Sequence, residues 1–572
     1  MFKAVKCLNQ KPFENPKGED ENGKLATNPD DIMTIVATHF KNKFHNIDIE
    51  PIQPFVGEPK LLNDPISPHE VKEGIKHLNN NRAPGDDDIT AELLKCGTFI
   101  MYMAIADILN EALNNHQELD INSGILITLP KPGKPKGPAQ NLRPIMLLNT
   151  IRKTLSTIVL NRIRPKIERY LPHSQSGFRS DRSTADVVWT HKWLAAKAIA
   201  ENIEIKITGI DMSAAFDTID RHLLLRILED VVDEDDLRMV RFLLSNTNVN
   251  TKINGATNQQ PFTSNIGTPQ GDCLSPVLFT IYLEHAMKEV RKVIPRPDTT
   301  FERYGPSEIS YADDVDFISQ NHIDTSAIQS VLTKYNLKVN IEKTELTTLS
   351  RLTHEWKTTK KVGSLIGDEE DIERRKQLSS VALYKLTNVW IRQHNIKKKT
   401  RLKLYRALVK PILLYNSGTW AMTKAQENKI DTFHRKQLKK ILNIRYPTKI
   451  SNKSLYEKCN EKPLSIQILE SRWRLFGHIL RRSIEIPANK AMTAYFVKCG
   501  DHFRGRPPTT LPVVLNNNLS HAKMRLKTPG DLEHLRALAQ DRQKWRALTT
   551  QLVETADATQ SVDGEAKGQS VK

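Results

Sequence analysis

Residues 308–319, with the sequence Glu-Ile-Ser-Tyr-Ala-Asp-Asp-Val-Asp-Phe-Ile-Ser, constrain the fold more than any other stretch. Apolar residues lie on both sides of Asp313 and Asp314, so the pattern predicts two strands joined by a tight acidic turn. A solvated β-turn would explain the acids, because Asp favours hairpin turns. The alternative is a metal site. Adjacent carboxylates repel each other unless a cation lies between them, and Mg²⁺ prefers carboxylates combined with water and phosphate oxygens.

A metal site of this kind needs a further carboxylate, and Asp211 is the candidate. Residues 205–210 alternate as a strand with one buried face does, and Asp211 follows where residues 212–215 begin to look helical. This position is typical of a helix N-cap, and it also suits a carboxylate at the end of a strand. The bulky ring of Phe216 follows five residues later.

A turn-rich loop at residues 267–276 lies between these two acidic segments. It contains Pro269, Gln270 and Gly271 and leads into the apolar run 277–283. Pro276 is acceptable in a first helical turn, so the pattern predicts a transition from loop to helix. An ordinary glycine-proline turn would have a similar composition.

The order of these segments resembles a known family. Asp211 with Phe216, then Pro269-Gln270-Gly271, then residues 311–314 match the polymerase motifs lettered A, B and C, and residues 340–345 follow where motif D is expected. Residues 83–89 resemble the family's Ala-Pro-Gly-x-Asp-x-Ile pattern, and residues 175–184 its Gln-x-Gly-Phe-Arg-x-Gly-Arg-Ser-Thr pattern. The chain therefore resembles the reverse transcriptase of a non-LTR (LINE-like, jockey-type) retrotransposon, specifically over residues 60–350 and more loosely over 1–60 and 350–510.

The resemblance implies an α+β right-hand polymerase with fingers, a palm built on an antiparallel sheet, a helical thumb, and a basic, mainly helical C-terminal region. We expect an amphipathic surface helix near residues 31–44, a last helix over 531–552, and a linker at 505–508. The expected domain boundaries are 1–60 for an N-terminal extension, 61–204 for the fingers and part of the palm, 205–350 for the palm with the catalytic motifs, 351–450 for a primer-grip-like turn and the thumb, 451–553 for the basic region, and 554–572 for a disordered tail.

The same resemblance implies the chemistry. Asp211, Asp313 and Asp314 would hold two Mg²⁺ ions, with Mn²⁺ as an alternative, for RNA-directed DNA polymerisation. Phe216 would exclude a ribose 2′-hydroxyl, although core packing would also explain a Phe there. Further contacts would come from Gln270 and Gly271, which would lie against the templating base and primer, and from Lys343, which would protonate pyrophosphate.

Basic residues supply the remaining candidates for the nucleotide and the nucleic acid. A strand running into a loop carries Lys131, Lys134, Lys136 and Arg143, a cluster that suits a triphosphate or a template backbone as well as a solvated hairpin. Within the family's pattern, Arg143 and Lys131 would touch the incoming nucleotide. Arg179 and Arg182 would bind nucleic acid, and Asp181 stands between them where the family has Gly.

The sequence beyond residue 350 matches the family less closely. Residues 360–365 fall at the primer grip, where Gly363 is kept and the usual Tyr-Leu pair is absent. Basic residues at 392–410 alternate with apolar ones at helical spacing, which predicts a thumb helix with a basic face that includes Lys398 and Arg401. In the stretch 471–482, Trp473 among arginines is predicted to stack on nucleic acid. Asn416 stands where the family has Gly.

The composition agrees with a polyanionic partner, since the formal net charge is +18. The expected partners are an RNA template, a DNA primer and dNTPs, with no membrane and with the oligomeric state left open. No apolar run approaches the ~20 residues of a transmembrane helix, and the five cysteines form no CxxC pair. We therefore expect an intracellular protein, nuclear or cytoplasmic.

Two alternatives to an active polymerase remain open. A catalytically silent RNA-binding relic would account for the departures at Asp181, at Val362 and at Asn416. An RNA-directed RNA polymerase is disfavoured by Phe216. Sequence typical of an accompanying endonuclease is not found, so we expect a truncated element copy or a fragment of a longer reading frame.

Overall fold

The computed structural model describes residues 26, 28–131, 133–135, 137–213, 215–245, 247–253, 256–257, 260–294, 305–391, 395–500 and 508–569. It mixes helices and sheets, as expected, and within these ranges no helix is long and apolar enough to cross a membrane. The strands are β1 Gly124–Pro130, β2 Leu142–Leu148, β3 Ile205–Ile210, β4 Met212–Ser213, β5 Thr247–Ile253, β6 Ala256–Thr257, β7 Phe262–Ser264, β8 Glu308–Tyr311, β9 Asp314–Ser319, β10 Lys338–Val339, β11 Glu345–Leu349, β12 Lys360–Lys361 and β13 Ser364–Leu365.

The helices before residue 391 are α1 Pro29–Phe44, α2 Pro68–His77, α3 Ala91–Lys95, α4 Phe99–Asn115, α5 Thr150–Tyr170, α6 Thr184–Glu201, α7 Arg221–Glu229, α8 Glu234–Leu244, α9 Ser275–Val293, α10 Thr325–Thr333 and α11 Asp368–Leu386. Those after residue 395 are α12 Lys398–Leu408, α13 Lys410–Leu413, α14 Lys424–Leu442, α15 Asn452–Cys459, α16 Leu464–Leu480, α17 Pro487–Tyr495, α18 Leu511–Ser520, α19 Pro529–Gln540 and α20 Arg542–Gln569.

A four-stranded antiparallel sheet with the order β11-β3-β9-β8 forms the centre of the chain. Strand β3 alternates little in burial and lies between two neighbours, and Ile207 is fully buried. Helices α5, α7, α8 and α9 supply much of one large apolar core, which includes Val315 and Phe317 from β9. The sheet therefore has a rigid base, which fixes the residues at its edge.

A second sheet has the order β2-β1-β5-β6, with β7 beside β5. Its apolar face is covered by α1, whose buried side chains Val36, Phe40 and Phe44 pack with Leu126 and Met146 of the sheet. Asn28 caps the helix N-terminus, and Pro29 follows at a position where it needs no hydrogen bond. The predicted amphipathic helix is confirmed, but it is packed on a sheet as an integral part of the fold.

The C-terminal helices pack on α6 behind the four-stranded sheet. Their common core contains Trp189 and Trp193 of α6 with Trp473 and Phe476 of α16, all fully buried. Rings of Trp189 and Phe476 stack with centroids 5.6 Å apart. The region after residue 450 is therefore built onto the same body as the central sheet through a large aromatic core.

Two local predictions are corrected by the structure. Residues 212–213 form strand β4, paired with β10, so Asp211 does not cap a helix. The expected single helix at 531–552 is two helices, because Asp541 accepts hydrogen bonds from Gln543 N and Lys544 N and begins α20. Helix α20 ends at Gln569, within the segment 554–572 for which a disordered tail is predicted. The linker predicted at 505–508 falls mostly outside the described residues.

Candidate active site

The predicted acidic hairpin is present and ends in a two-residue turn. Tyr311 pairs with Asp314 across β8 and β9, which leaves Ala312 and Asp313 as the turn. Ala312 has φ +57°, a left-handed conformation that residues other than glycine seldom adopt. The surrounding structure must therefore hold this turn in place. We call residues 308–319 the acidic hairpin.

Gln175 provides that support. Its Oε1 atom accepts hydrogen bonds from Ala312 N at 3.0 Å and from Gly177 N at 2.7 Å, while its Nε2 atom donates to Ala312 O at 3.2 Å. A Cβ atom added to Gly177 would lie only 2.2 Å from Ala312 N. The glutamine and glycine of the Gln-x-Gly-Phe-Arg segment therefore hold the acidic turn, a role that the sequence did not reveal.

Asp211 lies directly beside the acidic hairpin. Strand β3 pairs antiparallel with β9, and the pair Ile210–Val315 brings the next residue, Asp211, opposite Asp314. The Nζ atom of Lys343 lies 3.0 Å from the carboxylate of Asp211. The two acidic segments and the predicted motif D lysine are therefore brought together as the sequence predicts.

Crowding of these acids changes their proton affinity. Loss of water contact, followed by the Asp313, Asp316 and Asp211 carboxylates, raises the pKa of Asp314 to about 6. The pKa of Asp313 is also raised, by loss of water contact and by Asp211, with Lys343 opposing the change. The site is thus short of positive charge, as expected where a cation binds.

The donor set suits a hard divalent cation that arrives with its substrate. Over the described part of the chain, no three His, Cys, Asp or Glu side chains form a group that holds a metal by itself. Mg²⁺ is usually bound through one or two carboxylates, and water with substrate phosphates completes its coordination. The carboxylates at Asp211 and Asp314 fit that mode of binding.

A buried ion pair lies behind the acidic hairpin and was not predicted. Asp316 contacts Lys361 Nζ at 2.7 Å and His191 Nε2 at 3.1 Å. Burial alone would raise the pKa of Asp316, but the Lys361 charge and the His191 hydrogen bond lower it to about 2. A Cβ atom on Gly209 would lie 2.7 Å from Asp316 Oδ1 and from Lys361 Nζ, so a larger residue at this strand position would displace the ends of both side chains.

The Pro-Gln-Gly loop lies against strand β2 of the second sheet. Gln270 O accepts a hydrogen bond from Met146 N at 2.8 Å, and Gln270 Nε2 donates to Asp217 Oδ1 at 2.8 Å. Gly271 has φ +132°, and a Cβ atom there would lie 2.5 Å from Met146 O. Gly271 is thus required for close approach of two backbones.

Phe216 is half-buried, so both interpretations of this residue retain a structural basis. Its ring centroid lies 4.3 Å from that of Phe279 and 6.1 Å from that of Phe178. The residue as a whole keeps part of its surface exposed, and it lies in the short turn Ala215–Asp217 that follows Asp211.

The predicted nucleotide-binding cations lie on and beside β2. Arg143 is exposed and pairs in register with Leu129, while Lys131 Nζ donates to Gln140 O at 2.7 Å. Loss of water contact and then the charge of Lys43 lower the pKa of Lys131, with Arg143 and Lys343 contributing. The charges of Lys43, Arg143 and Lys343 are therefore close enough to affect Lys131. Lys134 is exposed, and Lys136 lies outside the described residues.

Two of the predicted nucleic-acid contacts are structural residues instead. The guanidinium of Arg179 is buried and bonds Glu168 Oε2 at 2.7 Å and Gln175 O at 3.2 Å. Trp473 is fully buried in the aromatic core and cannot stack on a nucleic acid base. A Trp among arginines at helical spacing fits a buried helix face as well as a stacking platform.

The other three predicted nucleic-acid contacts, Arg182, Lys398 and Arg401, keep part of their surface exposed. Lys398 is exposed at the start of α12, and Arg401 is half-buried with Nε donating to Ile396 O at 3.0 Å. Arg182 is half-buried, and loss of water contact together with the charges of Arg482 and Arg179 lowers its pKa to about 9.

The departures from the family pattern are accommodated locally. Asp181 and Asn416, which stand where glycine is usual, have φ +56° each, and Asp and Asn tolerate this conformation better than most residues. Val362 and Gly363 form the turn between β12 and β13 with φ +39° and +87°. Tyr415 Oη donates to Val362 O at 3.0 Å, so the primer-grip-like turn persists with its own support.

Comparison with known protein families gives a match that contains the candidate active site. The family described as "Reverse transcriptase (RNA-dependent DNA polymerase)" matches residues 129–397, which include all the predicted catalytic and nucleotide-binding residues. Residues 129–397 therefore resemble a reverse transcriptase domain.

Similar curated proteins indicate which kind of reverse transcriptase the chain resembles. The chain is 23% identical to the probable RNA-directed DNA polymerase from transposon BS of Drosophila melanogaster, over 86% of this chain and 58% of that protein. It is 21% identical to the RNA-directed DNA polymerase from mobile element jockey of Drosophila funebris, over 67% of this chain and 44% of that protein. The predicted resemblance to non-LTR retrotransposon reverse transcriptases is confirmed, and the chain spans 58% or less of the length of these relatives.

Proposed function

We propose that this chain is an RNA-directed DNA polymerase of a non-LTR retrotransposon, which adds dNTPs to a primer 3′-hydroxyl on an RNA template. The observation that carries the proposal is the position of Asp211 opposite Asp314 beside Lys343, within a domain that matches reverse transcriptases. In this proposal the four-stranded sheet is the palm, strands β1 and β2 belong to the fingers, and the helices between residues 368 and 442 form the thumb. The boundaries 61–204, 205–350 and 351–450 describe the same division.

Asp211, Asp313 and Asp314 are the residues that would hold divalent cations, which reverse transcriptases use. Two Mg²⁺ ions bound there would lower the pKa of the primer 3′-hydroxyl and neutralise charge on the triphosphate. Lys343 adds a positive charge next to Asp211, where it would hold a proton for the departing pyrophosphate. The protein contributes chiefly by fixing these groups in position.

The neighbouring residues would select and orient the nucleotide. Arg143 and Lys131 bring positive charge to the triphosphate from β2 and the end of β1, and the accessible part of Phe216 would block a 2′-hydroxyl. Gln270 and Gly271 border the same space from the Pro-Gln-Gly loop. Arg182, Lys398 and Arg401 are proposed contacts for the phosphates of template and primer.

Incorporation of dTTP on poly(rA)/oligo(dT) with Mg²⁺ tests the proposal. The wild-type chain is expected to extend the primer, Asp313→Asn to lose extension, and Asp107→Asn, a change of an exposed aspartate on α4, to retain it. A parallel reaction with UTP separates a DNA polymerase from an RNA polymerase. A folded wild-type chain that binds RNA without extending the primer would favour the silent relic.

A further inference from the structure

The C-terminal end of helix α1 is joined to the segment that leads into the Pro-Gln-Gly loop. Asn265 N donates to Phe44 O at 3.1 Å, and Asn265 Nδ2 donates to Asn46 O at 2.7 Å and to Ile49 O at 2.6 Å. Asn46 N in turn donates to Asn265 Oδ1 at 2.8 Å. The end of α1 is therefore fixed relative to Gln270, which lies five residues after Asn265.

Lys43, in the last turn of α1, makes an ion pair inside this junction. Its Nζ atom lies 2.7 Å from Asp217 Oδ2, and the other carboxylate oxygen of Asp217 accepts the hydrogen bond from Gln270 Nε2 at 2.8 Å. The Asp217 side chain is only 4% exposed. Lys43 and Gln270 are thus linked through one buried carboxylate.

This chain of contacts fixes the orientation of the Gln270 amide. An ionised carboxylate only accepts hydrogen bonds, so the amide NH₂ must face Asp217 and the amide oxygen must face away from it. Lys43 is the charged partner of this buried carboxylate, and a buried carboxylate without such a partner would be costly. Without Lys43, the Asp217 side chain would lose the contact that holds it in place, and the Gln270 amide would lose its fixed orientation.

Lys43 also lies close enough to the predicted triphosphate cations to influence them. Among the effects that lower the pKa of Lys131, loss of water contact is the largest and the charge of Lys43 is the next. The end of α1 therefore borders the space where Arg143 and Lys131 would meet the nucleotide.

We propose that Lys43 is a positioning residue for the incoming nucleotide, acting through Asp217 on the orientation of Gln270. The inference rests on the proposed polymerase function and makes helix α1 part of the nucleotide site. Lys43 does not touch the reacting atoms in this account. Its loss should therefore weaken nucleotide binding more than it slows the chemical step.

The test compares Lys43→Met with Lys43→Arg and with Lys41→Met, which changes an exposed lysine on the same helix. Lys43→Met should raise the KM for dTTP by about tenfold while leaving kcat nearly unchanged. Lys43→Arg should restore most of the affinity because it keeps the charge next to Asp217. Lys41→Met should behave as the wild-type chain.

A double-mutant cycle with Gln270→Ala separates positioning from general loss of structure. If Lys43 acts through Gln270, then adding Lys43→Met to Gln270→Ala should cause little further rise in KM. An unchanged KM in Lys43→Met, or effects of the two substitutions that multiply independently, would overturn the proposal. Thermal unfolding of each variant confirms that it is folded.

Nucleotide binding without chemistry keeps this inference separate from the polymerase proposal. The Kd for dTTP can be measured on the full chain with an RNA template and a primer that ends in a dideoxynucleotide. If the wild-type chain binds dTTP but does not extend a normal primer, the polymerase proposal fails, and the Lys43→Met Kd alone decides the role of Lys43. If it does not bind dTTP, both are wrong.

Discussion

The Nζ atom of Lys361 lies 2.7 Å from a carboxylate oxygen of Asp316, and both side chains are about nine-tenths buried. Lys361 belongs to the turn-forming strand β12, whereas Asp316 lies in β9 two residues after Asp314. The pair therefore joins the primer-grip-like hairpin to the acidic hairpin through the interior of the protein.

Replacing Lys361 with Met should leave Asp316 buried with only His191 as a partner. Breaking a buried pair by removing one charge costs about 3 kcal/mol or more, so we expect a loss of about that size in the free energy of unfolding. Urea denaturation measures it. Lys360→Met is the matched control, because Lys360 is exposed on the same strand, and its stability should stay within about 0.5 kcal/mol of wild type. Equal losses in both variants would contradict this account.

Asp314 should make cation binding sensitive to pH. Its pKa is raised to about 6, so below pH 6 a growing fraction of the carboxyl carries a proton that a cation must displace. The Mg²⁺ concentration that gives half-maximal primer extension should therefore rise as pH falls from about 7 to about 5. Asp314→Asn should flatten this dependence in whatever activity remains. The same dependence in Asp314→Asn as in wild type would show that another group is responsible.

Gly177→Ala should displace the acidic turn. The added methyl group would lie 2.2 Å from Ala312 N, a backbone atom that cannot move without shifting Asp313. Because a misplacement of about 1 Å in a catalytic site can cost a hundredfold in rate, we expect primer extension to fall by about that factor. Gly530→Ala, where the nearest atom would be 3.8 Å away, should extend primers as wild type does. Full activity in Gly177→Ala would show that the turn can shift harmlessly.

Local pattern was enough to predict the framework of the site. Alternation predicted β3 and the acidic hairpin, and sequence order predicted that Asp211 and Lys343 would meet Asp313 and Asp314. Such features depend on residues near one another in the chain or on a recognisable motif. They were therefore visible before the fold was known.

Contacts between residues that are far apart in the sequence could not be predicted from local patterns. The ion pair between Lys43 and Asp217 joins residues that are far apart in the sequence, and neither residue carries a local sign of its partner. The same is true of Lys361 with Asp316. Trp473 was assigned to the surface because aromatic and basic residues alternate around it, yet tertiary packing buries the aromatic face of that helix.

In the sequence, Asp181 and Asn416 are departures from the family pattern that a silent relic would explain, whereas the structure shows the backbone conformation that each residue adopts. Both positions have φ near +56°, where glycine is favoured and Asp or Asn is the next best choice. The side chains therefore fit the turns in which they stand. Their positive φ values were not readable from a single sequence.

Phe216→Ala should relax the choice of sugar. In the proposed site the exposed part of this residue blocks a 2′-hydroxyl, and the substitution removes the ring while leaving the backbone of the turn Ala215–Asp217 in place. The ratio of kcat/KM for UTP to that for dTTP should rise by about tenfold or more, since steric exclusion of a small group is typically worth that much. Loss of contact with Phe279 should also lower the melting temperature, so rates are compared well below it. Phe279→Leu, which alters the packing beneath Phe216 without removing its ring, is the matched control. An unchanged ratio in Phe216→Ala would assign Phe216 to core packing alone.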